Sequence, residues 1–281
     1  MDENTLVERL CQQAIRINAQ ALADLQHQPL PANAVHDCRV AVKRLRAQWQ
    51  LLRPWLSRDD HRAFDHGIRS AARLLAGARD NHVMAATLQK LASKADKPHR
   101  HSLSRVASTL FSDTDLQPET HHHQEAITAF AQDQQYWQSL ALSISDHELL
   151  VSGLARTYKQ CRNRTIKAQG GSDPQPWHDL RKWVKYLLYQ QQALADQDIH
   201  TPCHDADLER LGKKLGKLHD LHMLREHVLA HSHAIEKQKD LAHTLDAIHG
   251  REKRLLKKCQ TESQRLFQIP TKKWITGVTA S

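Results

Sequence analysis

Aromatic residues make up only 5% of this 281-residue chain, and glycine and proline number nine each. Sheets rich in aromatic side chains and folds punctuated by many tight turns are disfavoured by that shortage. The five cysteines, Cys11, Cys38, Cys161, Cys203 and Cys259, are odd in number, widely scattered and without a CxxC pair. A disulfide framework is thereby set aside, and the thiols read as reduced packing residues of a cytoplasmic protein. No run of about 18 or more apolar residues occurs, so no membrane span is expected. The start, MDENTLVERL, is acidic and amphipathic, unlike a signal peptide. P-loop, GxGxxG, GxSxG and HExxH patterns are missing, and no carboxylate pair is placed to cradle magnesium. The chain therefore reads as a non-enzyme, with no cofactor and no metal. Adjacent His121, His122 and His123 cannot all chelate from one helix face, and His219–Asp220–His222 is not a zinc spacing.

What is abundant points the other way. Leu, Ala, Gln, Lys and Arg dominate, a composition for helices. Forty Lys and Arg against 31 Asp and Glu give a net charge of +9, and 21 histidines add charge as pH falls. Such a chain should prefer a polyanion: nucleic acid, anionic lipid or a phosphate polymer. Helical periodicity predicts helices at about 3–26, 33–56, 60–95, 98–111, 124–140, 145–169, 175–197, 204–231 and 234–266. SDTDLQPETHHHQ is the linker candidate, and QGGSDPQP (169–176) is a turn with Ser172 and Asp173 as possible caps. No strand is expected, and the tail from Pro270 reads as frayed.

The stretch VHDCRVAVKRLRAQWQLL carries the strongest signal. On a helical wheel His36, Arg39, Lys43 and Arg46 fall within an arc of roughly 80°. Cys38, Val42, Leu45, Trp49 and Leu52 edge that arc on one side, and Val40, Ala47 and Leu51 on the other. An ordinary solvated face lies opposite the apolar face; this basic stripe is half-sheltered instead. The stripe recurs in WHDLRKWVKYLLYQ, where His178, Asp179, Arg181, Val184 and Lys185 each lie 142 residues after their counterparts. A second motif recurs 140 residues on: Leu75, Asp80 and His82 of LLAGARDNHVM match Leu215, Asp220 and His222 of KLGKLHDLHML. Two motifs repeated in one order describe two helical halves of about 140 residues, each a four-helix unit.

Arg and Lys side chains snorkelling along a core edge are the bland alternative for either stripe. Its recurrence with the same residues favours a ligand role instead. Facing like-charged stripes would repel unless an anion filled the gap, and a linear polyanion suits the Arg forks and Lys charges. Arg16 and Arg162 on the preceding helices, Arg73 and Lys213 in the second motif, and Lys182, Lys214 and Lys217 could extend the surface. Asp80 and Asp220 read as structural partners of a stripe cation or of a histidine, and Asp37 and Asp179 sit where a helix dipole favours acid. Nucleic acid is the competing ligand, although an aromatic stacking platform and a helix-turn-helix are both wanting. A phosphotransfer module is third, since it needs one exposed reactive His rather than two in repeated basic stripes.

With VHDCRVAVKRLR and WHDLRKWVKY as its mark, and GARDNHVM and KLHDLHML as a second element in both halves, the chain resembles the CHAD family, the conserved histidine α-helical domain. The resemblance spans about residues 3–266. It implies an all-α fold of two pseudo-symmetric four-helix bundles with a basic groove or channel between them. Its parts would be a first repeat at 3–111, a linker and connecting helix at 112–144, a second repeat at 145–266 and a tail at 267–281. It also implies non-catalytic binding of inorganic polyphosphate and association with polyphosphate granules. Carried over by position, the contacts would be His36, Arg39, Lys43, His178, Arg181 and Lys185, then Arg46 and Lys182. No ExExK pattern of a fused triphosphatase domain is present. Leu188 stands where the first half has Arg46, Tyr186 where it has Arg44 and His219 where it has Arg79, so the first stripe is expected to bind more tightly. Histidine protonation is expected to tighten binding at pH 6 relative to pH 8.

Overall fold

Side chains that satisfy the first free N–H groups set several helix starts in the computed structural model. The structure describes residues 5–31, 33–75, 79–111, 120–170 and 173–280, without the side chains of 79–80, 120–122 and 280. Thr5 and Glu8 form a reciprocal capping box at α1 (Leu6–Gln26), whose Leu6, Leu10, Ala14, Ala21 and Leu25 are buried at helical spacing. The first stripe lies on α2 (Ala34–Leu52). A 3₁₀ turn over Arg53–Trp55 leads to α3 (Arg58–Leu74), capped by Ser57. Next come α4 (Arg79–Ala92) and α5 (Lys97–Leu110), the latter capped by Asp96. The helix expected over 60–95 is thus two helices, one ending at Leu74 and the next beginning at Arg79.

Residues 112–119 of the expected linker lie outside the described residues, and α6 (Thr120–Ser139) takes up the rest of it. A single turn, α7 (Asp146–Glu148), passes through a π-helical stretch at Leu149–Leu154 into α8 (Ala155–Gln169). Ser172 lies outside the described residues, while Asp173 accepts from the Gln175 N–H where α9 (Gln175–Ala195) begins with the second stripe. The chain ends with α10 (Asp205–Ala230), α11 (Gln238–Phe267) and α12 (Thr271–Ile275). Contrary to expectation, the tail is docked and a strand pair exists. Trp274 is buried, stacks on Tyr158 at 4.2 Å and donates to the Cys203 sulfur, while β1 (Ile199–His200) pairs antiparallel with β2 (Thr279–Ala280). One aromatic residue with a polar handle overrides the weak local propensity of the tail.

Helices α1, α2, α3 and α6 pack around one another, as do α8, α9, α10 and α11, and α2 against α9 joins the two groups. At the joint, fully buried Gln190 donates to the Ala47 carbonyl at 2.8 Å. Gly153 lets the π-helical stretch approach so closely that a β-carbon there would lie 2.5 Å from the Leu51 carbonyl oxygen. The α4–α5 hairpin packs on α10 and α11, with Asp240 clamped by Arg105 and accepting from the Ser102 hydroxyl. The Arg105 hydrogen bonds hold the Asp240 carboxyl down at about 2.

The first group is tied by one buried carboxylate. Asp133 on α6 accepts from Trp49 on α2 at 2.8 Å, Asn18 on α1 at 2.9 Å and Trp137 at 3.0 Å, and the two indoles stack at 3.7 Å. Burial pushes its carboxyl up to about 6 against the pull of those three donors. A raised folded-state value means stability present at low pH and lost as pH climbs from about 4 through 6. In chemical denaturation, the wild-type advantage over Asp133→Asn is expected to shrink by roughly 2 kcal/mol between pH 4 and pH 7. A pH-independent difference would remove Asp133 from this role.

Candidate functional site

Each basic row is turned toward the next helix of its own group. On α2, His36 and Lys43 are exposed, while half-buried Arg39 donates Nη1 to the Ala72 carbonyl of α3 at 3.1 Å. Arg46 is gripped by Asp65 of α3 in a two-pronged bond of 2.8 and 3.1 Å, with its guanidinium 5.8 Å from the Tyr186 ring. The extra cation that was expected to strengthen the first stripe is therefore already engaged by a carboxylate.

The α9 row has no such partner. Lys185 and Arg181 make no ion pair among the described residues, and the Arg181 Nε is enclosed without an acceptor. Gly212 of α10 makes room for the Lys185 stem, while Gly216 lies at ordinary contact distance from Arg181. A β-carbon at 212 would lie 3.3 Å from Lys185 Cε, and one at 216 would lie 3.8 Å from Arg181 Nε. Burial first, then Arg181 and Lys213, hold the Lys185 ammonium below its usual range, with Glu209 opposing. A cation row kept in this state is poised to gain from an incoming anion.

At the start of α9, His178 contacts His219 at 3.2 Å and faces His222, with ring centroids 5.0 Å apart. Burial, then Arg181, His178 and His222, push the His219 imidazole down to about 4, and burial, His222 and Arg181 also lower His178. The His219 ring is therefore uncharged near pH 7 and adds hydrogen-bonding capacity rather than charge. Their edge-on packing does not converge on a centre, and among the described residues no group of three or more His, Cys, Asp or Glu could hold a metal.

The remaining candidates are dispersed. Lys182 is exposed, 3.8 Å from Asp179, and Lys213 is exposed, 3.1 Å from Glu209. Arg162 donates to the Phe267 carbonyl at 3.0 Å, at the end of α11. Arg16 lies in a groove of about 730 Å³ with Arg44 and Tyr189, and Arg73 in another with Glu125 and Thr128. Asp220 lines a cavity of about 580 Å³ under the α4–α5 hairpin, with His82 and Lys217. The side chain of Asp80 lies outside the described residues. The sequence reading passed over Arg156, which donates to the Gln50 carbonyl at 3.3 Å and lies 5.4 Å from the Trp183 ring. It also passed over a set of arginines on α3, whose 58, 62, 69 spacing was the available signal.

The CHAD domain family model matches residues 13–197, about two thirds of the chain and both stripes. The chain belongs to the CHAD family. No curated protein matches it. Among solved structures, the CHAD chain is similar to PptA from Streptomyces chartreusis, with a TM-score of 0.61 and 16% identity over 95% of this chain and 100% of that one. At that identity the likeness speaks for the fold alone, and with 95% of the chain covered it reaches well beyond the family match. No helix among the described residues of this CHAD protein is long and apolar enough to cross a membrane.

The contrast between engaged and unengaged cations is measurable as stability. Arg46 and Asp65 side chains are only 20% and 21% exposed. Arg46→Ala, which strands Asp65, is expected to cost about 1–3 kcal/mol in denaturant unfolding. Exposed His36→Ala should stay within about 0.5 kcal/mol of wild type. Equal effects would mean that the Arg46 fork contributes nothing to the fold.

Proposed function

We propose that the protein binds inorganic polyphosphate without turning it over, through the His/Arg/Lys rows of α2 and α9. In this reading two bundles related by a pseudo-twofold present the rows along a basic groove, and binding recruits the protein to polyphosphate granules. The observation that carries it is the α9 row: Arg181 and Lys185 lie half-buried beside Lys213, with the Arg181 Nε lacking an acceptor. Phosphate oxygens supply acceptors for that fork and charge for the ammonium. Membership of the CHAD family supports the choice of polymer. Binding of this kind is multivalent and electrostatic, so affinity falls steeply with salt.

The decisive experiment is competition at near-physiological salt, with labelled long-chain polyphosphate displaced by duplex DNA, single-stranded RNA or short phosphates. Polyphosphate alone is expected to compete at low concentration, and DNA competing equally would reassign the rows to nucleic acid. The combined Arg39→Ala, Lys43→Ala, Arg181→Ala and Lys185→Ala variant is expected to stay folded and lose binding. Tight binding by that folded variant would refute the site.

The environment of His178 shapes the expected pH dependence. His178 is held below the ordinary imidazole value of about 6.5 by burial, His222 and Arg181, with Asp179 and Asp173 opposing. A neighbouring phosphate favours the imidazolium, so its share of affinity grows as pH falls. Dissociation constants from pH 8 to 5 should steepen at the acid end for wild type and less so for His178→Gln. Identical profiles would exclude His178 from binding.

A further inference from the structure

The arginines passed over on α3 form a second basic site. Arg53, Arg58, Arg62 and Arg69, with His61 and His66, surround a concavity of about 360 Å³. One carboxylate, Asp65, shares that lining, and both of its oxygens already accept from Arg46. Asp59 and Asp60 lie on the first turn of α3, where Asp60 accepts from the Ser57 hydroxyl. Arg58, Arg62 and Arg69 make no ion pair among the described residues. The excess positive field registers on its neighbours. Burial, then Arg53, Arg156 and Arg46, hold His61 below its usual value despite Asp65, and burial and Arg53 lower the Arg156 guanidinium.

The concavity is at the small end of ligand sites, which run from roughly 300 to 1,000 Å³. That size suits a few phosphate groups and not an extended polymer. Arginine forks around a short cup match a group with several free oxygens converging on one atom. Internal units of a phosphate chain carry one charge each. A terminal phosphate has a second ionisation near pH 6, a charge of about −1.5 to −2 at pH 7, and three outward oxygens. The cup also adjoins the α2 row, because Asp65 lines it while holding Arg46 of that row.

We propose that this pocket seats the free terminal phosphates of a condensed phosphate chain whose body lies along the α2 and α9 rows. The inference rests on the polyphosphate reading and adds to it a recognition of chain ends. Binding there is reversible and forms no bond. Arg62 and Arg69 are both exposed, so their removal tests the pocket without disturbing the core.

Calorimetry on the full chain would use tripolyphosphate, long-chain polyphosphate, the same long chains with both ends esterified, and ATP. Arg62→Ala/Arg69→Ala is expected to weaken tripolyphosphate binding at least about tenfold, the scale of one lost charge-assisted contact. The same variant should lose the wild-type preference for free-ended over blocked chains. The four-residue α2/α9 variant should keep its tripolyphosphate site while losing long chains. Unchanged tripolyphosphate affinity in the folded double variant would overturn the proposal, as would equal wild-type affinity for free and blocked chains. ATP binding tighter than tripolyphosphate through Arg62 and Arg69 would reassign the pocket to a nucleoside triphosphate and overturn the chain-end role. Failure of wild type to bind long chains at all would instead defeat the underlying polyphosphate reading.

Discussion

The packing of α2 against α9 places two rows of cations on adjacent helices, and the surrounding structure accommodates the charge that results. Charged groups beside an apolar joint need water, a carboxylate or a ligand. The α2 row meets this need partly from within, through the Arg46–Asp65 fork and the Ala72 carbonyl. The α9 row meets it with space: Gly212 lets the Lys185 stem lie along α10, and the Arg181 Nε keeps unused hydrogen-bonding capacity. Two rows that match in sequence are thus unequal in chemistry. The one with fewer cations in its sequence is the one left more available.

Histidine behaves less uniformly than the composition suggests. His178, His219 and His222 pack ring against ring beside Arg181; burial, Arg181 and the neighbouring imidazoles push His219 down to about 4 and also lower His178. The 21 imidazoles are therefore not a single pool of latent charge. Asp133 shows the complementary case, a carboxylate whose burial outweighs three good donors. In both places desolvation decides the titration, and hydrogen bonds or neighbouring charges adjust it.

Much of the fold was legible because amphipathic period and repeat spacing are local signals. The two stripes and most helix ends needed nothing beyond nearby residues. Pairings across the fold were hidden. Nothing local marks Asp65 as the partner of Arg46, and the acids interleaved on α3 disguised its arginines as an ordinary solvated face. The docked tail was missed because Trp274 acts through Tyr158, more than a hundred residues away in the chain. The partners of Arg162 and Arg46, the Phe267 carbonyl and Asp65, were hidden for the same reason: they come from distant segments.

The α4–α5 hairpin belongs by sequence to the first half but rests on α10 and α11. Its clamp joins Arg105 to Asp240, 135 residues later. During synthesis the hairpin emerges long before the surface that receives it, so its apolar face must wait until α11 has left the ribosome. The two halves, similar as they are, therefore cannot mature as independent units: the earlier one is finished only by the later.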